Sequence, residues 1–230
     1  MQKGINMTLL SRRSFFRAGT RYNSRGVDEQ GKVANFVESE TIVSFNQKQY
    51  VFSHLQIRGS VPLFWTQKAK KQSKVSFKDS KSKNKLAFDT HFDELLRKYS
   101  RVYVLNLLSG QDKQDEVKIS QAMLNLLEER NDPNIGFYSF DFHDRIQGGN
   151  YAEIGGLMNV LRPVIMDKNQ RFFIHVRDKG NTYYQGGVVR TNCLDCLDRT
   201  NYTQAHISDM SVKSILEHIS RAKDTGGSEG

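Results

Sequence analysis

The arrangement in this sequence best suited to chemistry is a cysteine followed by five residues, an arginine and a threonine. Cys193 and Arg199 have this spacing, and Thr200 follows directly. The apolar pair Val188-Val189 precedes the cysteine, and a polar segment of helical character follows the threonine. A strand, a tight loop and a helix start gather several backbone N–H groups around one point, which suits a phosphate group. The sequence therefore predicts a phosphate-binding loop over residues 193–199, called here the Cys193 loop.

Such a loop can transfer a phosphoryl group to sulfur. Its field lowers a cysteine pKa from about 8.5 to about 3.5–7.5, which would make Cys193 a thiolate at neutral pH. Arg199 can donate two N–H groups to phosphate oxygens, and Thr200 can donate its hydroxyl to the sulfur as the sulfur leaves. An acid must also protonate the departing alcohol. The candidate acids, which the sequence does not separate, are Asp195 and Asp198 inside the loop and Asp141 upstream.

Cys193 and Cys196 also form a C-x-x-C pair, which introduces two rival chemistries. A thioredoxin-like redox pair normally opens a helix and lacks a following Arg-Thr. A structural zinc site needs two more ligands, and the sequence has no second cysteine pair or close histidine pair. We therefore predict no metal here. Cys196 is expected to pack in the loop or to form a reversible disulfide that protects Cys193 from oxidation.

The full string Arg190–Asn201, RTNCLDCLDRTN, closely resembles the signature of the Sac-domain phosphoinositide phosphatases, the family that includes the inositol phosphatase part of synaptojanin. Residues 11–40, Gln56–Trp65 and Phe140–His143 resemble other blocks of that family in the same order, although residues 144–149 depart from its pattern. The resemblance implies hydrolysis of phosphatidylinositol phosphates to phosphatidylinositol and phosphate, without a cofactor. It also implies an additional N-terminal subdomain and a longer C-terminal part, so the chain is expected to be a fragment, a mispredicted gene product or a shortened relative.

Several residues are predicted to contact the substrate. Four arginines recur every four residues in the first block, and an extended strand would place them on one face, about 13 Å apart. These are Arg13, Arg17, Arg21 and Arg25. They form either a solvated basic face or a row beside an acidic-lipid site. The candidate substrate-binding residues are Asn192, Leu194, Cys196, Leu197, Arg58, Arg21 and His143.

The composition of the chain indicates the charge of its binding partner and the cellular compartment in which it works. The 230 residues include 34 Lys and Arg against 25 Asp and Glu, which gives a net charge of +9. This excess favours an anionic partner. With two cysteines and no run of 18 apolar residues, the chain suits a reducing compartment and lacks a membrane-spanning helix. We therefore expect a cytoplasmic protein, peripheral on the cytosolic face of membranes.

The stretch 68–85 contains eight lysines and four serines, and it reads as a flexible surface loop. Such a loop is solvated or contacts an anionic bilayer, each nearby lysine contributing up to about 1 kcal/mol. Nucleic acid is not the expected partner, because Phe77 is the one aromatic residue interleaved there.

The apolar patterns predict an α/β fold with a mostly parallel or mixed sheet and flanking helices, preceded by a β-rich segment. The predicted parts are a β-rich part at 1–66, a flexible loop at 67–87, an α/β phosphatase core at 88–222 and a disordered tail at 223–230. The predicted strands are Val33–Val37, Thr41–Phe45, Gln49–Phe52, Val102–Leu108, Ile135–Phe142 and Arg171–Val176. The predicted helices are one capped by Thr90, Val117–Arg130 and Tyr151–Leu161. In such sheets ligands lie beyond the carboxyl ends of strands, where the Cys193 loop is expected.

Two other functions compete with an active lipid phosphatase. The first is a phosphoinositide-binding module that keeps the Cys193 loop without turnover. The second is a protein tyrosine phosphatase, which shares the cysteine–arginine loop. It is disfavoured because Leu194, Asp195, Leu197 and Asp198 occupy positions where that family has small residues.

Overall fold

The computed structural model of the protein describes residues 4–19, 24–45, 49–67, 74–110, 113–146, 152–165, 173–177 and 180–225. Its strands are β1 (Ile5–Arg13), β2 (Val37–Phe45), β3 (Tyr50–Arg58), β4 (Trp65–Gln67), β5 (Val75–Phe77), β6 (Val102–Asn106), β7 (Ile135–Ser139), β8 (Phe173–Val176), β9 (Asn181–Tyr183) and β10 (Val188–Asn192). Its helices are α1 (Lys81–Tyr99), α2 (Gln114–Arg130), α3 (Phe142–Arg145), α4 (Ala152–Ile165) and α5 (Asp198–Thr225).

The main sheet is mixed, with the spatial order β1-β2-β3-β10-β6-β7. Neighbours from β3 to β7 are parallel, whereas β1, β2 and β3 pair antiparallel. One edge of β3 is divided, because Tyr50–Ser53 pairs with β8 and Gln56–Arg58 pairs with β10. The predicted α/β class is therefore confirmed, and the β-rich first part shares its sheet with the second part.

Alternating residues of the central strands enter two cores on opposite faces of the sheet. Val102, Val104 and Val188 pack with apolar residues of α1 and α2. Leu105 and Val189 pack on the other face with α4 and α5. The second core also includes the buried side chain of Cys193. The packing of these helices therefore fixes the end of β10, where the Cys193 loop begins.

Helix α1 begins at Lys81, within the predicted flexible stretch, and not at Thr90. Ser80 caps it, because its Oγ accepts a hydrogen bond from the Lys83 N–H at 3.3 Å. Thr90 lies inside the helix and donates its hydroxyl to the Leu86 carbonyl at 2.8 Å. The buried positions of the helix recur at helical spacing, and lysines occupy exposed positions of its first turn. The high lysine content therefore concealed the helix start from sequence reasoning.

The single strand predicted to carry the arginine row is absent from the residues described. β1 ends at Arg13, and Ser14–Gly19 follow it without strand structure. Arg21 lies outside the described residues. Of the predicted strand Val33–Val37, Val33 forms an isolated bridge and Val37 begins β2, while Asn35 between them has a left-handed backbone with φ 54°. The three described members of the row, Arg13, Arg17 and Arg25, make separate contacts instead of forming one basic face.

The polar start of α5 packs against the sheet. Thr203 and Gln204 are buried, and hydrogen bonds satisfy them. Thr203 Oγ1 donates to the Arg199 carbonyl at 2.9 Å, and Gln204 Nε2 donates to the Ile57 carbonyl at 3.2 Å. In the part of the chain that is described, no helix combines the length and apolar character needed to cross a membrane.

The α1 boundary predicts a difference between two alanine substitutions. Ser80→Ala should lower the free energy of unfolding by about 1 kcal/mol, because it removes the cap. Thr90→Ala, the matched control, should be neutral or stabilising, since alanine is favoured inside a helix. Urea denaturation measures both. A larger loss for Thr90→Ala would place the helix start where the sequence predicted it.

Candidate active site

Cys193 lies where the central strand of the sheet is succeeded by a long helix. β10 ends at Asn192 and α5 begins at Asp198, so residues 193–197 connect them. Cys193 is only 1% exposed. Cys196 has a left-handed backbone (φ 54°), and its N–H donates to the Cys193 sulfur at 2.9 Å. The strand, loop and helix start expected around the cysteine are present, and phosphate binding there stays a prediction.

The contacts of the Cys193 sulfur favour its charged form. A hydrogen bond from the Cys196 thiol is the largest cause that lowers the pKa of Cys193 to about 6. Burial opposes this shift, while the Arg199 charge, the Thr200 hydroxyl and the Cys196 N–H add to it. The Thr200 Oγ1 donates to the sulfur at 3.1 Å. The interaction with Cys193 and burial raise the pKa of Cys196, so the proton of the pair stays on Cys196 at pH 7.

Arg199 is held by a carboxylate that the sequence analysis did not identify. Glu116 of α2 pairs with it in bidentate fashion, with Nη1–Oε2 2.8 Å and Nη2–Oε1 3.1 Å. Nη1 also donates to the Leu107 carbonyl at 3.0 Å. Burial disfavours both charges, but the pairing outweighs it, so the pKa of Arg199 rises and that of Glu116 falls. Glu116 is itself buried and accepts the Ser109 N–H at 2.9 Å, which fixes the orientation of the guanidinium.

Asp195 is bound to an arginine from the first block of the chain. Arg25, whose side chain is 2% exposed, forms an ion pair with its carboxylate. The Arg25 guanidinium also donates to Gln67 Oε1 at 3.3 Å and lies 5.9 Å from the Trp65 ring centroid. The Arg25 carbonyl accepts a hydrogen bond from Arg17 at 2.7 Å. Two members of the predicted arginine row therefore support the Cys193 loop from within the protein.

Arg58 also reaches the Cys193 loop. It ends β3 opposite Thr191 of β10, and its Nη1 donates to Asn201 Oδ1 in α5. Burial lowers the pKa of Arg58, whereas the sulfurs of Cys196 and Cys193 act in the opposite direction. Its guanidinium therefore lies within electrostatic range of both thiols, and its contact with substrate stays a prediction.

Other predicted binding residues of the loop have structural contacts. Asn192 is fully buried, and its Nδ2 donates to Asn106 Oδ1 at 2.6 Å while its Oδ1 accepts from Arg190 at 3.3 Å. Leu194 packs at the border of the core under α1 and α2, and Leu197 is half-buried. These contacts brace the loop between strand and helix. Whether the three residues also contact substrate stays a prediction.

Strand β7 ends at Ser139 instead of continuing to Phe142 as predicted. Asp141 lies beyond the strand and caps the short helix α3. Its carboxylate accepts four hydrogen bonds, from the N–H groups of Gly110 (2.7 Å), His143 (3.1 Å) and Asp144 (3.1 Å) and from Ser109 Oγ (2.9 Å). Burial opposes ionisation of Asp141, but these bonds outweigh it and lower its pKa. A carboxyl group held in its ionised form is a poor acid at neutral pH, which disfavours Asp141 as the proton donor.

His143 lies in α3, not on a strand, and faces the cationic side of the site. Its Nε2 is 2.8 Å from Lys113 Nζ. Burial lowers the pKa of His143, and the positive charges of Arg199 and Lys113 lower it further. His143 is therefore neutral at pH 7 and lies within electrostatic range of Arg199.

Arg190 is a buried cation behind the loop whose contacts are neutral groups. It donates to His91 Nε2 at 3.1 Å, to Asn192 Oδ1 at 3.3 Å and to the Ser60 carbonyl at 2.7 Å, and it lies 5.9 Å from the Phe92 ring centroid. Burial lowers the pKa of Arg190 to about 10, so it stays charged at pH 7. No carboxylate among the described residues pairs with it. Its positive charge therefore acts on the strand end that carries Cys193.

The side chains that surround the Cys193 loop are mainly positively charged arginines and not a set of metal ligands. Arg25, Arg58, Arg190 and Arg199 come to it from separate parts of the chain. Within the described ranges, no group of three His, Cys, Asp or Glu side chains is arranged to hold a metal ion. The arrangement is suited to a nucleophilic sulfur anion and to an anionic group bound beside it.

Comparison with known proteins identifies the family. The family model described as the SacI homology domain matches residues 1–147. The chain belongs to this family. It is 37% identical over 217 residues to inositol-1,4,5-trisphosphate 5-phosphatase 1 of Schizosaccharomyces pombe and 38% identical over 218 residues to polyphosphatidylinositol phosphatase INP53 of Saccharomyces cerevisiae. The two alignments cover 92% and 93% of the chain but 19% of each relative.

Human synaptojanin-1 is also similar, with 38% identity over 224 residues that cover 96% of the chain and 14% of synaptojanin-1. The resemblance inferred from the sequence blocks is thereby confirmed. The Schizosaccharomyces pombe relative is by name a phosphatase of inositol trisphosphate, and the Saccharomyces cerevisiae relative is by name a polyphosphatidylinositol phosphatase. The SacI family chain spans less than a fifth of the length of each of these three relatives.

Two parts of the site could not be found from sequence spacing. Glu116 lies just before the predicted start of α2 at Val117, and an acidic residue in a first helical turn is ordinary. His91, the partner of Arg190, lies within an apolar helix face where a histidine is usually structural. One sequence feature could have identified Glu116. Helix α2 follows β6, a parallel strand, so the first turn of α2 lies near the carboxyl ends of the strands, where ligands bind.

The sulfur environment predicts a low midpoint for alkylation of Cys193. Its rate of reaction with iodoacetamide should rise through a midpoint of about pH 6, because the thiolate is the reactive form. Thr200→Val should move the midpoint upward by removing a hydrogen bond to the charged sulfur. Mass spectrometry of the Cys193 peptide across pH measures the rate, and Thr8→Val, at an exposed position of β1, is the control. A midpoint near that of free cysteine, about 8.5, would contradict the assignment.

Proposed function

We propose that this SacI family chain is a phosphoinositide phosphatase that removes phosphate from the inositol ring through a phosphocysteine intermediate. The family match and the two relatives named as phosphatases of inositol compounds support the substrate class. The observation that carries the mechanism is the orientation of Arg199 by Glu116 beside a sulfur whose contacts favour the thiolate.

The pairing with Glu116 determines which part of Arg199 can bind phosphate. A guanidinium has five N–H donors, and three of them bond to Glu116 and the Leu107 carbonyl. The Nε–H and one Nη2–H have no partner among the described residues. These two donors are adjacent and form a fork that matches two oxygens of a phosphoryl group. Arg199 can therefore stay paired with Glu116 and stabilise the transferring group at the same time.

In the first step the Cys193 thiolate attacks phosphorus, so a P–S bond forms while the bond to the inositol oxygen breaks. The inositol oxygen leaves with the bonding electron pair and takes a proton from an acid. In the second step water attacks phosphorus and gives a proton to the carboxylate that had protonated the inositol oxygen, the P–S bond breaks and phosphate is released. The Thr200 hydroxyl, 3.1 Å from the sulfur, stabilises the thiolate that departs.

The proposed acid is Asp195 or Asp198. Asp195 is ion-paired with Arg25, whereas Asp198 is exposed and opens α5. Both belong to the Cys193 loop, while the hydrogen bonds of Asp141 disfavour it. Proton transfer through Asp195 would require its pairing with Arg25 to loosen during the reaction.

The proposed location is peripheral, on the cytosolic face of a membrane, where the lipid substrate lies. The net charge of +9 supports contact with anionic headgroups. Nucleic acid remains an unexpected partner. No cofactor enters the proposed reaction, in which the nucleophile, the arginine and the acid are side chains of the Cys193 loop and water opens the intermediate.

Replacing the nucleophile tests the proposed reaction. Cys193→Ser should abolish phosphate release from short-chain phosphatidylinositol phosphates, because a serine hydroxyl is not ionised at neutral pH. Cys196→Ser, the matched control, should keep measurable turnover, because Cys193 remains. Binding without turnover in the unaltered protein would support a binding module instead. Preference for a phosphotyrosine peptide would support a protein tyrosine phosphatase.

Removing the anchor of Arg199 tests the mechanism. Glu116→Gln should lower kcat about 10- to 100-fold, because misplacement of a catalytic group by about 1 Å has this effect. Glu128→Gln, on an exposed position of the same helix, should have no effect.

The pKa of Glu116 is lowered in the folded protein, so its contribution to stability exists above its ordinary pKa and is lost as the pH falls through the folded value. The unaltered protein should therefore have a higher free energy of unfolding than Glu116→Gln at neutral pH, and this difference should disappear in acid.

A further inference from the structure

A cavity of about 540 Å³ opens beside the Cys193 loop. Leu194 and Asp195 of the loop form one wall, and the first turns of α2 form another. Three lysines also line it, namely Lys74, Lys113 and Lys118. We call it the lysine cavity. It lies on the carboxyl-end side of the parallel strands, where open α/β sheets bind their ligands.

The acidic residues of the lysine cavity are occupied by partners within the protein. Asp115 Oδ2 accepts the Val75 N–H at 3.0 Å. Glu116 is paired with Arg199, and Asp195 is paired with Arg25. The three lysines, in contrast, have no ion pair with any residue of the described ranges. The three lysine charges face one lining carboxylate, Asp115, that pairs with no cation of the described ranges, so the lysine cavity presents an excess of positive charge to a ligand.

Lys113 lies directly before α2, the helix that carries Glu116. It precedes Glu116 by three residues, about one helical turn of 5.4 Å, and Glu116 binds the catalytic arginine. Lys113 Nζ is 2.8 Å from His143 Nε2. The positive charge of Lys113 also lowers the pKa of Glu116 and that of His143, so the ammonium group lies within electrostatic range of the carboxylate that holds Arg199.

We propose that the lysine cavity binds a second phosphate on the inositol ring while the phosphate to be removed lies on the Cys193 loop. The inference rests on the proposed function and gives it a preference for inositol lipids that carry at least two ring phosphates over those that carry one. A phosphate dianion is attracted by ammonium groups that line one cavity, and the concave shape would hold one ring substituent. A flat bilayer surface fits a concave site less well than a single ring phosphate does. Contact between these lysines and a membrane is therefore the alternative that the test must distinguish.

The test compares two soluble short-chain substrates, a phosphatidylinositol monophosphate and a bisphosphate. The bisphosphate should have the higher kcat/KM. Lys113→Gln should lower the ratio of the two kcat/KM values about threefold to tenfold, mainly through KM, as expected for an exposed charge-assisted contact. Adding Lys118→Gln should lower the ratio further. Lys213→Gln is the matched control, because Lys213 is an exposed lysine of α5 that pairs with Asp209.

Salt and binding measurements separate this inference from the proposed function. Raising the salt concentration should lower the ratio for the unaltered protein more than for Lys113→Gln, because salt screens exposed charges. Cys193→Ser protein should bind the soluble bisphosphate headgroup more tightly than the monophosphate in calorimetry, and Lys113→Gln should remove this preference.

Three results have distinct meanings. If the protein hydrolyses both lipids and the ratio is unaffected by Lys113→Gln and Lys118→Gln, the second subsite is wrong and the phosphatase stands. If no lipid is hydrolysed but the lysines govern headgroup binding, the subsite stands and the phosphatase is wrong. If the lysine substitutions lower activity on anionic vesicles and leave the soluble ratio unchanged, the lysines contact the membrane and the inference is overturned.

Discussion

The site depends on holding a charged sulfur where water has little access. Cys193 is 1% exposed, and a buried anion is costly unless donors and cations surround it. The Cys196 N–H and the Thr200 hydroxyl contact the sulfur directly. Arg199 adds positive charge from beyond these contacts, and Arg190 holds a further charge behind the strand end. A phosphate dianion brought to this loop would meet the same excess of positive charge.

The same constraint explains why the β-rich part and the α/β part share one sheet. Arg25 and Arg58 belong to the first part, whereas Cys193 and Arg199 belong to the second. The pairing of Gln56–Arg58 with β10 places the end of β3 directly beside the strand that carries the cysteine. The division of β3 between β8 and β10 therefore joins the two parts at the position where the loop needs its cations.

Secondary structure set by residues close together in the sequence was easier to predict than contacts between residues far apart in it. The strand, loop and helix around Cys193 follow from apolar runs and from one spacing, and the structure contains them. The Glu116–Arg199 and Arg25–Asp195 pairs join residues far apart in the sequence, so no local period indicates them. The start of α1 was missed for another reason. Exposed lysines raised the local charge, and that charge concealed a helix whose opposite face is buried.

The Arg25–Asp195 pair resolves an apparent conflict in the Cys193 loop. A carboxylate inside a phosphate-binding loop should repel its ligand, because like charges are unfavourable at short range. Arg25 neutralises Asp195 from a buried position, and Leu194 next to it is anchored at the edge of a hydrophobic core. The bulky and acidic residues that distinguish this loop from one of small residues therefore serve as attachment points. They fix one wall of the lysine cavity, and a loop of small residues would leave that wall without side chains to hold it.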